Sequence, residues 1–205
     1  MPFDPPRRLV TTGLYAYVRN PMQLSAVMFL SLLGLLVNNL WLAAAGVMAH
    51  VYSAGLAGWN ENGDLERRFG GDWVEYRKSV RTWLPRIHPW QPPSQPHARL
   101  FVSHSCPMCR EVGTWFERRT PRYLVIIRAE SHPSPLTRIT YEPSDGSGAA
   151  HGVEAIARAL EHVHLGWALV GCTLRLPGIR DTAQLLIDAS GGEPRALDQS
   201  CNWPT

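Results

Sequence analysis

From Met22 to Val37 the chain carries no charged side chain. After Asn38-Asn39 a second apolar run extends from Leu40 to Trp59, and His50 is its one side chain that charges near neutral pH. As helices rising ~1.5 Å per residue, the two runs would reach roughly 24 and 30 Å. A bilayer core is ~30 Å thick. Gly34 and the small-residue run Ala43-Ala44-Ala45-Gly46 would let two helices approach closely, and the Asn pair suits a tight turn. The pattern predicts a transmembrane helical hairpin that enters and leaves on the same side. Arg7, Arg8 and Arg19 precede it; Arg67, Arg68, Arg77 and Lys78 follow it. That flanking places both termini in the cytosol, as at a bacterial-type inner membrane. The alternative is a two-helix hairpin inside a water-borne core.

The period then changes. Leu65, Phe69, Trp73, Tyr76 and Val80 recur every three to four residues, one face of a helix, with a break expected at Gly70-Gly71 and an end by Pro85. Residues 89–97 hold four prolines and read as an extended linker. Beyond it, Arg99 to Ser103 and Tyr123 to Arg128 read as buried strands, and Ile139-Thr140-Tyr141 as a third. Asp145-Gly146 signals a turn into a return strand at Ala149 to His151. Gly152 to His164, Gly166 to Leu176 and Ile179 to Ala189 read as helices. The expected organisation is a hairpin part at 1–88, a linker at 89–97, an α/β part at 98–190 and a loose tail at 191–205.

Charge sharpens the division. Nine Lys/Arg and six Asp/Glu lie in residues 1–95, against eleven of each in 96–205. The excess is small and sits beside the apolar runs, so no nucleic-acid partner is expected. The chain is 45% hydrophobic and 18% charged, enough apolar material for a core. No N-terminal secretory pattern is evident.

The sharpest chemistry is Cys106-Pro107-Met108-Cys109, between a strand and a stretch that can continue as a helix. The first turn of a helix favours thiolate over thiol, and this spacing lets two sulfurs join and part. Half a zinc site and an inert remnant are the alternatives. Zinc takes four ligands, no second Cys-x-x-Cys exists, and His162 and His164 would point apart on a helix, so no metal is expected. Cys172 reads as a buried, inert thiol and Cys201 as part of the tail.

The order strand, dithiol helix, strand, hairpin, helix resembles the thioredoxin fold. The segments Leu100–Cys109, Gly152–Leu160 and Trp167…Leu176-Pro177-Gly178-Ile179 resemble the DCC family of thiol–disulfide oxidoreductases. The family's leading Asp is replaced; His104 and Ser105 stand before the first cysteine. The resemblance implies that Cys106 attacks, that Cys109 resolves, and that a redox protein or small thiol is the partner. It also implies a cis-proline beside the dithiol, at Pro135, with Pro133 and Pro143 as competing positions.

Thr12-Gly13-Leu14-Tyr15 through Arg19-Asn20-Pro21, with Glu61, Leu65, Phe69-Gly70, Trp73, Tyr76 and Pro85-Arg86, resembles the isoprenylcysteine carboxyl methyltransferase and phospholipid methyltransferase families. That resemblance implies S-adenosylmethionine held by Arg19, Asn20, Pro21 and Glu61, and a membrane lipid or lipid-linked acceptor. The family carries further helices ahead of the Gly13 motif. The half is therefore expected to be truncated, completed by a homo-oligomer, or degenerate. The resulting expectation is an all-α transmembrane hairpin plus an α/β thioredoxin-like domain, a membrane-associated fusion of the two chemistries. In the alternative, the hairpin only anchors the redox part.

Overall fold

The computed structural model describes residues 8–52, 55 and 58–192. The chain divides into two compact units, Met1–Arg86 and Ile87–Thr205.

In the first unit a short 3-10 turn, Gly13–Ala16, leads into α1 (Pro21–Leu36), α2 (Leu40–Tyr52) and α3 (Gly58–Ser79). Pro21 opens α1, where its fixed φ suits the helix and its missing N–H costs nothing. The helix ends at Leu36, Asn38 with φ +52° turns the chain, and the Asn39 side chain accepts from the N–H groups of Trp41 and Leu42 at 3.1 and 3.2 Å to start α2. Gly34 and Gly46 sit at the helix crossing. A Cβ on Gly34 would meet Ala43 N at 2.3 Å, and one on Gly46 would meet Ser31 Oγ at 2.3 Å. The break in α3 falls at Gly70, with φ +52°. The segment before α1 pairs with the segment after α3: Arg19 N–H donates to Arg81 O at 3.0 Å and Arg86 N–H to Tyr17 O at 2.9 Å. Tyr17, Val18, Trp73, Tyr76 and Val80 are buried around that seam.

The transmembrane expectation is overturned. α1 has 16 residues and α2 has 13, where about 20 apolar residues are needed to span a bilayer. Among the described residues no helix is long and apolar enough to cross a membrane. The fold is mixed α/β, seven helices with a four-stranded sheet among the described residues, rather than a spanning hairpin with an appended domain. The inner-membrane placement, and the cytosolic termini drawn from it, lose their basis.

In the second unit β1 (Ala98–Val102), β2 (Leu124–Arg128), β3 (Thr140–Glu142) and β4 (Ala150–His151) form a sheet of order β2-β1-β3-β4. β1 runs parallel to β2, with Val102 level with Arg128, and antiparallel to β3, with Leu100 level with Tyr141. β3 and β4 form a hairpin around Gly146, whose φ is +70°. α4 (Pro107–Glu117) links β1 to β2; α5 (Val153–Leu160), α6 (Leu165–Leu174) and α7 (Ile179–Ile187) follow the sheet. Leu100 and Val102 of β1 pack with Phe116 of α4 and with Ala155, Ala159 and Leu160 of α5. Phe101, on the opposite face, packs with Ala129 and Leu136. α5 and α6 meet closely at Gly171, where a Cβ would lie 2.3 Å from Ala157 O. The site-bearing loop therefore leaves a strand bonded on both sides.

Candidate functional site

β1 ends at Val102 and the chain turns through Ser103–Ser105 to Cys106, which caps α4 in an extended conformation (φ −95°, ψ 118°) while its carbonyl accepts from Arg110 N–H at 3.0 Å. Pro107 takes the first helical position. Cys106 thus stands over the N-terminal end of an 11-residue helix, whose unpaired N–H groups and dipole favour a negative sulfur. Cys109 lies one turn on and packs against the core. Both are partly exposed free thiols, and their side chains are hydrogen-bonded to each other. Burial pushes the Cys109 thiol up from its ordinary value near 9 to about 12; the bond to Cys106, then the charges on Cys106 and Glu130, add to the rise. One sulfur is placed to carry charge and the other is held protonated beside it.

Glu130 joins this site from elsewhere in the chain. It lies in the 3-10 turn Ala129–Ser131 just past β2, and its Oε1 accepts from Ser103 Oγ at 2.8 Å, His104 N–H at 2.9 Å and Ser105 N–H at 3.3 Å. Desolvation alone would raise its carboxyl; the hydrogen bonds outweigh it and hold the group below its ordinary value of 4.5. The carboxylate fixes the loop that delivers Cys106. Sequence reasoning missed it. The available signal was the parallel pairing of β1 and β2, which sets the residues after Arg128 level with those after Val102.

Cys106 and Cys109 open into a cleft of about 320 Å³, bounded by Met108, Val112, Ile139, Ile156 and Ile187. The chain approaching the dithiol before β3 is Thr137–Ile139, which contains no proline. Pro135 is not a cis-proline, and among the described residues there is no cis peptide bond at all. Cys172 is exposed on α6, not buried. Cys201 lies outside the described residues. Among these no group of three or more His, Cys, Asp or Glu side chains that could hold a metal is found.

In the first unit, Arg19, Asn20 and Pro21 line one cleft of about 360 Å³ with Tyr15, Gln23, Trp73 and Tyr76. The Arg19 guanidinium bonds the Thr82 hydroxyl and sits over the Trp73 ring, 5.6 Å from its centre. Asn20 Nδ2 donates to Gln23 Oε1 at 3.1 Å. The Trp73 indole N–H is buried with no acceptor among the described residues. The Glu61 side chain lies outside the described part of the chain. The described lining carries the Arg8 and Arg19 guanidiniums and no acid, and no methyl-transfer step is derived.

Comparison with family models, curated proteins and solved structures finds no match to this chain.

Proposed function

We propose that the second unit catalyses thiol–disulfide exchange. The observation that carries this is the Cys106–Cys109 pair: two hydrogen-bonded thiols at a helix start, the inner one pushed up by burial and by its neighbour. The sheet order, with the dithiol helix following central β1, is in keeping with the thioredoxin-like resemblance.

In the first step the Cys106 thiolate attacks one sulfur of a substrate disulfide. A Cys106–substrate S–S bond forms, the substrate's own S–S bond breaks, and the departing thiolate takes a proton from water. Cys106 then no longer carries charge or accepts from Cys109, so two of the contributions that held the Cys109 proton are gone. Cys109 loses its proton to solvent and attacks Cys106 Sγ. The Cys106–Cys109 disulfide forms, the Cys106–substrate S–S bond breaks, and the second substrate sulfur leaves as a thiolate that takes a proton from water. Two electrons pass from the dithiol to the substrate, and an external dithiol reductant restores the pair.

Insulin-disulfide reduction driven by such a reductant tests the reading. Cys106→Ser is expected to abolish turnover, and Cys109→Ser to trap a mixed disulfide visible by mass. Full turnover by Cys106→Ser would remove the proposal.

A further inference from the structure

We propose that this dithiol acts on disulfides bearing an aliphatic or aromatic side chain next to the reactive sulfur, which the adjoining cleft seats, in preference to charged small disulfides. The inference rests on the thiol–disulfide reading and goes on to assign the substrate class.

Arg138, Gln184, Ser103 and Ser105, four of the polar side chains that line the cleft, already have partners. Arg138 donates from both terminal nitrogens to Asp188, at 2.5 and 2.9 Å. Gln184 accepts from Val153 N–H at 2.9 Å, satisfying an opening N–H of α5, and donates to Asp188 at 2.8 Å. At the other end Ser103 and Ser105 share a hydrogen bond of 2.8 Å, and Ser103 donates to Glu130. A substrate carboxylate would compete with Asp188 for the Arg138 guanidinium, so charge in the substrate meets competition rather than an open cation. What faces an incoming group is Met108, Val112, Ile139, Ile156 and Ile187, together with the two sulfurs.

Size narrows the choice further. About 320 Å³ lies at the lower end of small-ligand sites, which span roughly 300–1,000 Å³. Gln184 and Ile187 of α7, and Gly191-Gly192 beyond it, wall one side. The space takes one or two side chains. The chemistry beside it requires that they belong to a molecule with a disulfide.

The test compares kcat/KM for three substrates: the symmetric disulfides of N-acetyl-Cys-Leu-amide and N-acetyl-Cys-Asp-amide, and oxidised glutathione. The leucine disulfide is expected to be preferred roughly ten- to a hundredfold over the other two, the discrimination one or two apolar groups supply in a fitted pocket. Ile187→Ser is expected to cut that preference several-fold. Leu185→Ser is the control, since Leu185 is 69% exposed and does not line the cleft. Equal rates for the three disulfides in the wild-type chain would overturn the specificity while leaving the exchange chemistry standing. Reduction of none of them would overturn both. The wild-type comparison decides the matter even where Ile187→Ser does not fold.

Discussion

Replacing Glu130 by Gln keeps the shape of the side chain and removes its charge. In the wild type one oxygen accepts three hydrogen bonds from the loop between β1 and Cys106, two of them at 2.8 and 2.9 Å. The amide oxygen of Gln can still accept them, so the loss is the charge assistance alone, about 1 kcal/mol for each short bond. Glu130 is exposed, and water screens part of this, which leaves about 1 kcal/mol in total. The carboxyl's pKa is depressed in the folded state, so its contribution is complete above the ordinary value of 4.5 and is lost as pH falls through the folded value. Urea unfolding at pH 7 is therefore expected to show the variant less stable by about that amount, with the gap closing on acidification below pH 4.5. The same charge helps keep the Cys109 proton on. Thiolate absorbance against pH is thus expected to show Cys109 ionising at lower pH in Glu130→Gln than in wild type, both in a Cys106→Ser background. Identical stability at pH 7 and an unmoved Cys109 titration would refute this account of Glu130.

His162 sets a second pH dependence. Its Nδ1 faces the Arg122 carbonyl and its Nε2 the Tyr141 hydroxyl, each at 2.9 Å, and burial holds the ring down from 6.5 to about 4. The unfolded chain takes the proton first, so stability is expected to fall as pH drops from 6.5 toward 4, by about 2–3 kcal/mol from this group; urea midpoints for His162→Gln that keep the wild-type slope over this range would contradict it. Gly171→Ala drives a Cβ to within 2.3 Å of a backbone oxygen on α5 and is expected to cost about 1–3 kcal/mol. Gly148→Ala, which meets nothing within 4 Å, is the matched control, and equal melting of the two variants would show that α5 and α6 yield freely.

Local patterns were legible where a residue's neighbours along the chain determine its place. The dithiol could be set at a helix start because strand and helix periods meet at Ser103–Cys106, and the close crossing of α1 and α2 could be read from Gly34 and Gly46. The transmembrane expectation failed on length: hydrophobicity marks an apolar helix, while α1 with its 16 residues is too short to span a bilayer. Cys172 was misplaced because α6 is apolar on nearly every side, so its sequence names no outward face. The resemblance implies a cis-proline at Pro135, whereas the segment that reaches the dithiol, Thr137–Ile139, is set by how the chain enters β3. Glu130 could not be found from spacing, since 26 residues separate it from the His104 N–H it accepts from. Its role follows from strand pairing, which is a long-range property.

α7 buries none of its residues, and it is tied to its surroundings by the Gln184–Val153 and Asp188–Arg138 bonds. β1, the strand that leads into the dithiol loop, is laddered on both edges and has four of its five residues buried. The two elements are therefore expected to open on different clocks: amides of β1 should exchange with solvent only when the unit unfolds, while those of α7 should exchange whenever a few polar bonds let go.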